Sequence, residues 1–328
     1  MKKLLYCVFL ILLVVFPLIM RSKYFMQIAN TAVVFLIIVM GLNYVIGFSG
    51  QISLAATAFW GIGAYVSALF SVKLGFSFWL TLPLAALVST GAGLLIGFPT
   101  LKLRQFYLGI ATVGFGEIIA LILLNWTSLT NGADGIPGIP KPRIGNFVFN
   151  SDYRFYYILL TCALLLLFVS VRLKNSRFGR ALLAINNNEI AAETLGINAH
   201  IYKMAAFALS AFYAGIAGSL YAHLIGYISP DLFVFRQSII FLCMYMIGGA
   251  GHIAGPVIGS VLLTLLPEFM RFLKDFYMAF YGLLVVALAI GMPTGISGLI
   301  EKYAPRLYAF IEPQAEIPKQ TRGHRGEA

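Results

Sequence analysis

Long apolar runs, each about the length of a helix that crosses a bilayer, occupy most of this 328-residue chain. Hydrophobic residues make up 60% of it and charged residues 11%, against about 25% charged in soluble proteins. Such a chain has too few polar side chains to cover a folded surface in water, so its solvent is lipid. We predict an all-α polytopic membrane protein with Gly-rich breaks and about ten transmembrane helices, at residues 4–20, 26–46, 54–72, 76–99, 105–126, 154–171, 201–224, 237–250, 256–273 and 277–294.

The one dense polar stretch, residues 172–203, sets the predicted orientation. Lys and Arg accumulate in cytoplasmic loops because translocating them costs free energy, so this loop should face the cytoplasm. The same scheme places the Gly/Pro-rich stretch 127–153 outside, and only Arg21 and Lys23 on the disfavoured side. The cations of the loop are Arg172, Lys174, Arg177, Arg180 and Lys203, and the other cations predicted inside are Lys2, Lys3, Lys102, Arg104, Lys302, Arg306, Arg322 and Arg325.

Residues 1–300 are predicted to form a single transmembrane domain with both chain termini in the cytoplasm. The first apolar run is read as an uncleaved helix, because Arg-Ser-Lys follows it where a cleavage site would need small residues. Residues 301–328 form a polar tail that lacks apolar periodicity, and we expect it to be disordered.

Composition excludes several classes of function. The net charge of +11 comes from cations beside apolar spans, which orient helices and attract anionic headgroups, so we expect no nucleic-acid partner. Cys7, Cys162 and Cys243 each lie inside an apolar run, without paired or metal-like spacing. No phosphate-binding glycine loop, zinc-binding helix or nucleophile elbow occurs. We therefore predict no catalytic residues, no metal and no cofactor in this chain.

The second half of the 172–203 loop has the pattern of a short helix that a partner protein holds. Asn188 is a suitable N-cap, and Glu189 in the first turn complements the positive end of the helix. Ile190 and Leu195 supply an apolar stripe, and Gly196 is a natural stop. The alternative is an ordinary connector with a surface helix.

Two Gly-rich segments, 47–53 and 248–254, interrupt the apolar runs in related ways. They share Gly, Gly and Ile at the first, fourth and sixth places. Matched Gly interruptions in two halves of a transporter indicate a repeat and a central pathway, whereas the alternative is two tight turns at the membrane face. The candidate pathway residues are Gly47, Ser49, Gly50, Gln51, Ser53, Gly248, Gly249, Gly251 and His252.

Glu117 is the clearest carboxylate inside a predicted span. A charge there is costly in lipid, so this side chain should face a cavity, a partner or the bundle interior. Both a pathway role and a pairing role between helices are consistent with the sequence.

Several of these motifs, in this order, closely resemble permease subunits of bacterial branched-chain amino acid ABC importers, over roughly residues 35–300. The resemblance is greatest to the M-type subunit of the high-affinity system. The matching stretches are Gly41–Leu54 continuing through Phe59–Tyr65, Tyr107-Leu108 with Gly114–Ile118, Asn125–Gly132 with Gly135-Ile136, Ser176–Ala181, Glu189–Ala192, Gly196–Asn198, Tyr227–Pro230, and Gly248-Gly249 with Gly255–Gly259.

This resemblance implies an ABC importer permease fold in the bacterial inner membrane and a set of partners. A second, H-type permease would complete the channel. Two ATP-binding subunits would dock beneath and use the ATP, and a periplasmic or extracellular binding protein would deliver leucine, isoleucine or valine. The ATPase-coupling element would be Glu189, Ile190, Ala191, Ala192 and Gly196.

Three alternatives remain open from the sequence. Urea or short-amide importers use closely similar permeases, and sugar importers use more distant ones. An ion-coupled secondary transporter would use the Gly-rich breaks and Glu117 but would need no ATPase. A scaffold protein of the membrane is the third. The helix at 189–197 favours the importer, because a secondary carrier has no use for it.

Overall fold

The structure, a computed structural model, describes residues 14–17, 22–100, 105–270, 282–283, 285–287, 291 and 294–303. Helices account for most of these residues, and four two-residue strands lie in loops. The helices are α1 (Lys23–Leu42), α2 (Ala56–Lys73), α3 (Phe78–Thr100), α4 (Gln105–Asn125), α5 (Thr127–Thr130), α6 (Asp152–Lys174), α7 (Arg177–Asn187), α8 (Glu189–Thr194), α9 (Ala199–Ile225), α10 (Phe235–Gly248), α11 (Ala254–Phe269) and α12 (Gly295–Tyr303). The strands are β1 (Ile136–Pro137), β2 (Arg143–Ile144), β3 (Phe147–Val148) and β4 (Tyr227–Ile228).

Within the described part of the chain, five helical segments are long and apolar enough to cross a membrane: α1 with its continuation to Phe48, α3, α4, α6 and α9. Two shorter apolar helices, α10 and α11, correspond to the predicted spans 237–250 and 256–273. The span predicted at 54–72 is the 18-residue helix α2. The five candidate spans, even with α2, α10 and α11 added, do not confirm the predicted count of about ten in the part of the chain that the structure describes.

Several sequence expectations lie wholly or largely outside the described residues. These are the spans 4–20 and 277–294 and most of the tail at 301–328. The predicted domain boundary at residue 300 falls inside α12, which runs to Tyr303.

The core is built where α2, α3 and α9 cross at glycines. A Cβ on Gly63 of α2 would lie 2.5 Å from the carbonyl oxygen of Gly215, and one on Gly215 would lie 2.7 Å from Cβ of Ser89 in α3. Small residues let helix backbones approach closely, which is how helices associate in lipid without a hydrophobic driving force between them. The three helices are therefore closely packed against one another.

Buried hydroxyl groups also join helices across the core. The Tyr44 hydroxyl donates to Ser170 Oγ at 3.0 Å, and Ser170 Oγ lies 2.9 Å from the Tyr213 hydroxyl. Tyr213 in turn donates to the Leu166 carbonyl at 2.9 Å. Each of these hydroxyl groups thus finds a partner inside the bundle, as groups shielded from water must.

The stretch 127–153 forms a folded cap at the end of the bundle opposite α8. Strand β1 pairs antiparallel with β4, and β2 with β3. Lys141 donates to the carbonyl of Leu224 at the end of α9, and His223 Nδ1 lies 2.6 Å from the Pro140 carbonyl. Burial lowers the pKa of Lys141, and the charge of Asp152 acts in the opposite direction. This cap is anchored to α9 by side chains as well as by strand pairing.

Candidate functional site

Helix α8 forms where the sequence pattern predicts it. The Asn188 side chain accepts a hydrogen bond from the Ala191 amide at 3.0 Å, which caps the helix, and Gly196 adopts a left-handed φ of 84° just beyond its end. The Gly196 amide donates to the Glu193 carbonyl at 2.9 Å, and Ile197 donates to the Ala192 carbonyl at 3.1 Å. Local capping chemistry therefore starts and stops this helix at both ends.

Two contacts fix α8 to its neighbours. Ile185 of α7, Ala192 of α8 and Ala199 of α9 form a small buried cluster. Lys203 of α9 forms an ion pair with Glu189 at 2.5 Å. Helix α8 is consequently held on α7 and α9 as one unit, with the Ala192 side chain packed between them.

Two large apolar side chains lie in the open, one on α8 and one just beyond its end. Ile190 is 77% exposed and Leu195 is 81% exposed. Burying one such side chain stabilises a complex by roughly 1.5–3 kcal/mol, so each is suited to contact with a partner. Glu189 and Ala191 lie on the exposed part of the same helix.

The first Gly-rich segment begins in a π-helical turn, Asn43–Phe48, that continues α1. Gly50 has a left-handed φ of 70°, so the chain leaves the helix there. The side chains of Ser49, Gln51 and Ser53 are buried. The Ser49 hydroxyl donates to the Val45 carbonyl at 2.7 Å, and the backbone N–H of Gln51 donates to the same carbonyl at 2.9 Å. These three polar side chains therefore point into protein.

The second segment follows the end of α10. Gly249 and Gly251 have φ values of 120° and 76°, so Gly251 matches the conformation of Gly50 at the aligned place. Ser297 of α12 donates to the Gly248 carbonyl at 2.6 Å, and His252 Nε2 lies 3.4 Å from a carboxylate oxygen of Glu301. Helix α12 thus covers this segment from one side.

The two segments are in direct contact, although about 200 residues separate them in the sequence. The Asn43 side chain donates to the His252 carbonyl at 3.0 Å, and the Gly251 amide donates to the Tyr245 hydroxyl at 3.1 Å. A Cβ on Gly47 would lie 2.7 Å from that hydroxyl and 3.0 Å from the Gly251 amide nitrogen. We call residues 43–53 and 245–254 together the glycine junction.

The glycine junction lies at the same end of the bundle as the 172–203 loop. Lys174, the last residue of α6, donates to the Gly251 carbonyl at 3.2 Å. Asn186, near the end of α7, donates to the Gly47 carbonyl at 2.9 Å. Sequence patterns identified neither residue as part of a site, because an Asn or Lys in a polar loop has no distinguishing local signal.

Glu117 lies away from the junction, on the exposed face of α4. The same face carries large apolar side chains, with Ile118 56% and Leu121 55% exposed, and Gly114, which has nothing within 4 Å of its Cβ position. Because a carboxylate is costly against lipid, this face needs a cavity or a partner over it. Thr112 points the other way and accepts a hydrogen bond from the Leu54 amide at 3.1 Å.

Among the described residues, no group of three or more His, Cys, Asp or Glu side chains is placed to hold a metal ion. The features that remain are therefore an exposed apolar helix, a buried glycine junction and a carboxylate on an open helix face. None of them supplies a nucleophile and base for a chemical step.

Residues 24–290 match the family described as "Branched-chain amino acid transport system / permease component". The chain belongs to this family. It is 37% identical over 318 residues to the high-affinity branched-chain amino acid transport system permease protein LivM of Salmonella typhimurium, covering 90% of this chain and 75% of that protein. The protein of the same name from Escherichia coli K12 is 36% identical with the same coverage.

More distant similarity reaches the permease protein LivH of the same system. The Salmonella typhimurium LivH is 27% identical over 80% of this chain and 90% of its own length. The autoinducer 2 import system permease protein LsrC of Escherichia coli O9:H4 is 26% identical over 59% of this chain and 58% of that protein. No solved structure matches the chain. The family predicted from the sequence is confirmed, and so is its greater similarity to LivM than to LivH.

Proposed function

We propose that the chain is the M-type permease subunit of an ATP-driven importer, which moves leucine, isoleucine or valine across the bacterial inner membrane. The observation that carries this proposal is the 37% identity over 90% of the chain to a protein named as a branched-chain amino acid permease. The termini and the 172–203 loop lie in the cytoplasm in this proposal, because the cations concentrate there.

The energy for transport comes from two separate ATP-binding subunits that use the ATP, and this chain contributes a docking element. Helix α8 suits that role, because Ile190 and Leu195 are exposed while Ala192 packs the helix against α7 and α9. A short helix packed on its own protein transmits a displacement, whereas a flexible loop absorbs it.

The H-type permease is proposed to cover the face of α4 that carries Glu117. Gly114 leaves room there for close approach of a helix, and the partner removes the Glu117 carboxylate from lipid. The similarity of this chain to LivH supports a related fold in the partner. A periplasmic or extracellular binding protein would meet the opposite end, where the cap of residues 127–153 lies.

The glycine junction is proposed to border the translocation path at its cytoplasmic end. The residues concerned are Gly47, Ser49, Gly50, Gln51, Ser53, Gly248, Gly249, Gly251 and His252. A small number of hydrogen bonds join the two halves of the junction and define one packed arrangement. This supports a role in which the two halves move relative to each other during transport.

The test is uptake in a strain that lacks its own branched-chain importer permease and expresses this chain with its partner subunits. Labelled leucine, isoleucine, valine and urea are offered separately. We expect uptake of the three amino acids to depend on ATP and on the binding protein, and uptake of urea to stay at background. Urea uptake without amino acid uptake would assign the chain to a short-amide importer. Uptake that needs an ion gradient and no ATPase would indicate a secondary transporter.

A further inference from the structure

The carbonyl groups at the two helix breaks receive their hydrogen bonds from residues of α6 and α7, the two helices that precede α8. A helix break leaves carbonyl oxygens without an intrahelical donor, and in a membrane protein another part of the protein must supply one. Asn186 of α7 supplies it to Gly47, and Lys174 of α6 supplies it to Gly251. The Lys174 ammonium also lies 5.7 Å from the centre of the Phe48 ring, so this one side chain contacts both halves of the junction.

Short connections join the helices that carry these two donors to α8. Only Asn188 separates α7 from α8, and only Asn175 and Ser176 separate α6 from α7. Helix α7 is itself anchored, because Leu182 and Ile185 are buried and the Ile185–Ala192 contact ties it to α8. A displacement of α8 therefore moves the donor atom of Asn186 with it.

The contact between the two breaks extends this linkage. Asn43 belongs to the first break and holds the His252 carbonyl of the second, while Tyr245 holds the Gly251 amide. Gly47 has no space for a side chain at this point, since a Cβ would meet Tyr245 and the Gly251 amide. The network runs from α7 through the first break to the second, and back to α6 through Lys174.

We infer that Asn186 and Lys174 are positioning residues that transmit movement of α8 to both glycine breaks at once. They act through the carbonyls of Gly47 and Gly251 and do not touch the substrate. This inference rests on the proposed function, because it takes α8 to be the element that the ATPase moves.

Asn186→Ala removes the donor to Gly47, and Lys174→Met removes the donor to Gly251 while keeping most of the aliphatic stem. The assembled complex is reconstituted in vesicles, and leucine uptake and ATP hydrolysis are measured together. We expect ATPase subunits to co-purify at wild-type levels and hydrolysis to continue. Leucine moved per ATP should fall by about fivefold to tenfold, because each variant leaves one carbonyl at a helix break without its hydrogen-bond donor.

Asn187→Ala is the matched control, since Asn187 is the next residue of α7 but it is Asn186 that donates to the Gly47 carbonyl. It should leave coupling unchanged, and Lys174→Arg should restore coupling because it returns a cationic donor. Normal coupling in Asn186→Ala and Lys174→Met would overturn the inference. So would a parallel loss of uptake, hydrolysis and co-purification, because that result indicates a role in folding or docking.

Amide hydrogen exchange provides a readout that does not require a known substrate. In the wild-type complex, a non-hydrolysable ATP analogue should change exchange at 47–53 and 248–254 together. In Asn186→Ala, the change at 47–53 should be lost while that at 248–254 is retained. Identical responses in both proteins would contradict the inference. A wild-type complex that shows these exchange changes but moves no branched-chain amino acid would overturn only the proposed substrate.

Discussion

The crossing of α2 and α9 at Gly63 allows a stability prediction with a worked magnitude. In Gly63→Ala, the new Cβ would lie 2.5 Å from the Gly215 carbonyl oxygen and 2.6 Å from Gly215 Cα. Ordinary van der Waals contact begins at 3.4 Å, so the two backbones must separate by roughly 0.9 Å. Both obstructing atoms belong to the backbone of α9, and no side-chain rotation can relieve the overlap.

Overpacking of this kind costs about 1–3 kcal/mol, whereas replacing a helical glycine by alanine gains about 0.5–1 kcal/mol. We expect Gly63→Ala to lower the free energy of unfolding by about 1–2 kcal/mol, since the separation would also disturb the neighbouring α3 contact. Gly91→Ala in α3 is the control, because nothing lies within 4 Å of the Cβ position there. It should gain stability by about 0.5–1 kcal/mol.

The assay is thermal unfolding of the two purified variants and the wild type in the same detergent. The expected order of melting temperatures is Gly91→Ala at or above wild type, and Gly63→Ala below it. If Gly63→Ala melts with the wild type, or if the two variants fall together, the close helix crossing is not the source of the constraint on Gly63.

Three further predictions concern topology and partners. A cysteine introduced at Asn187 should react with an impermeant thiol reagent only from the cytoplasmic side, and one at Asp134 only from outside; labelling of both from one face would refute the orientation. Gly196→Val forces a β-branched residue into a φ of 84°, at a cost of about 1–2 kcal/mol, and should reduce ATPase co-purification about tenfold. Gly138→Val carries similar strain at φ 73° in the outer cap and should leave co-purification unchanged, so equal losses would contradict a docking role for α8. Glu117→Leu should leave membrane abundance unchanged but weaken co-purification of the second permease, and full co-purification with full uptake would remove this carboxylate from the interface and the path.

Local chemistry made α8 predictable from the sequence. An N-cap at Asn188 and a stop at Gly196 act within one turn of the helix, so the residues that decide the structure are neighbours in the chain. The same holds for the break at Gly50, where the need for a positive φ can be met only by a residue without Cβ strain.

Long-range packing could not be predicted in this way. Nothing in the sequence indicates that Asn43 contacts His252, or that Asn186 and not Asn187 reaches the Gly47 carbonyl. The π-helical turn at 43–48 was also missed, because its hydrogen bonds shift by one residue without a distinct residue pattern. In each case the residue that determines the contact lies far away in the sequence, or the two possible structures differ by a shift of one residue.

The glycines show why composition alone does not identify a pathway. Gly63 is required because another backbone lies against it, and Gly50 and Gly251 are required by their positive φ values. Gly114 meets neither condition in this chain, since nothing lies within 4 Å of its Cβ position on the face that carries Glu117. A glycine costs helix stability of roughly 0.5–1 kcal/mol, so one on an exposed face needs a compensating contact. A partner helix that approaches this face closely would provide that contact and would also cover the Glu117 carboxylate, which is why we assign the second permease to α4.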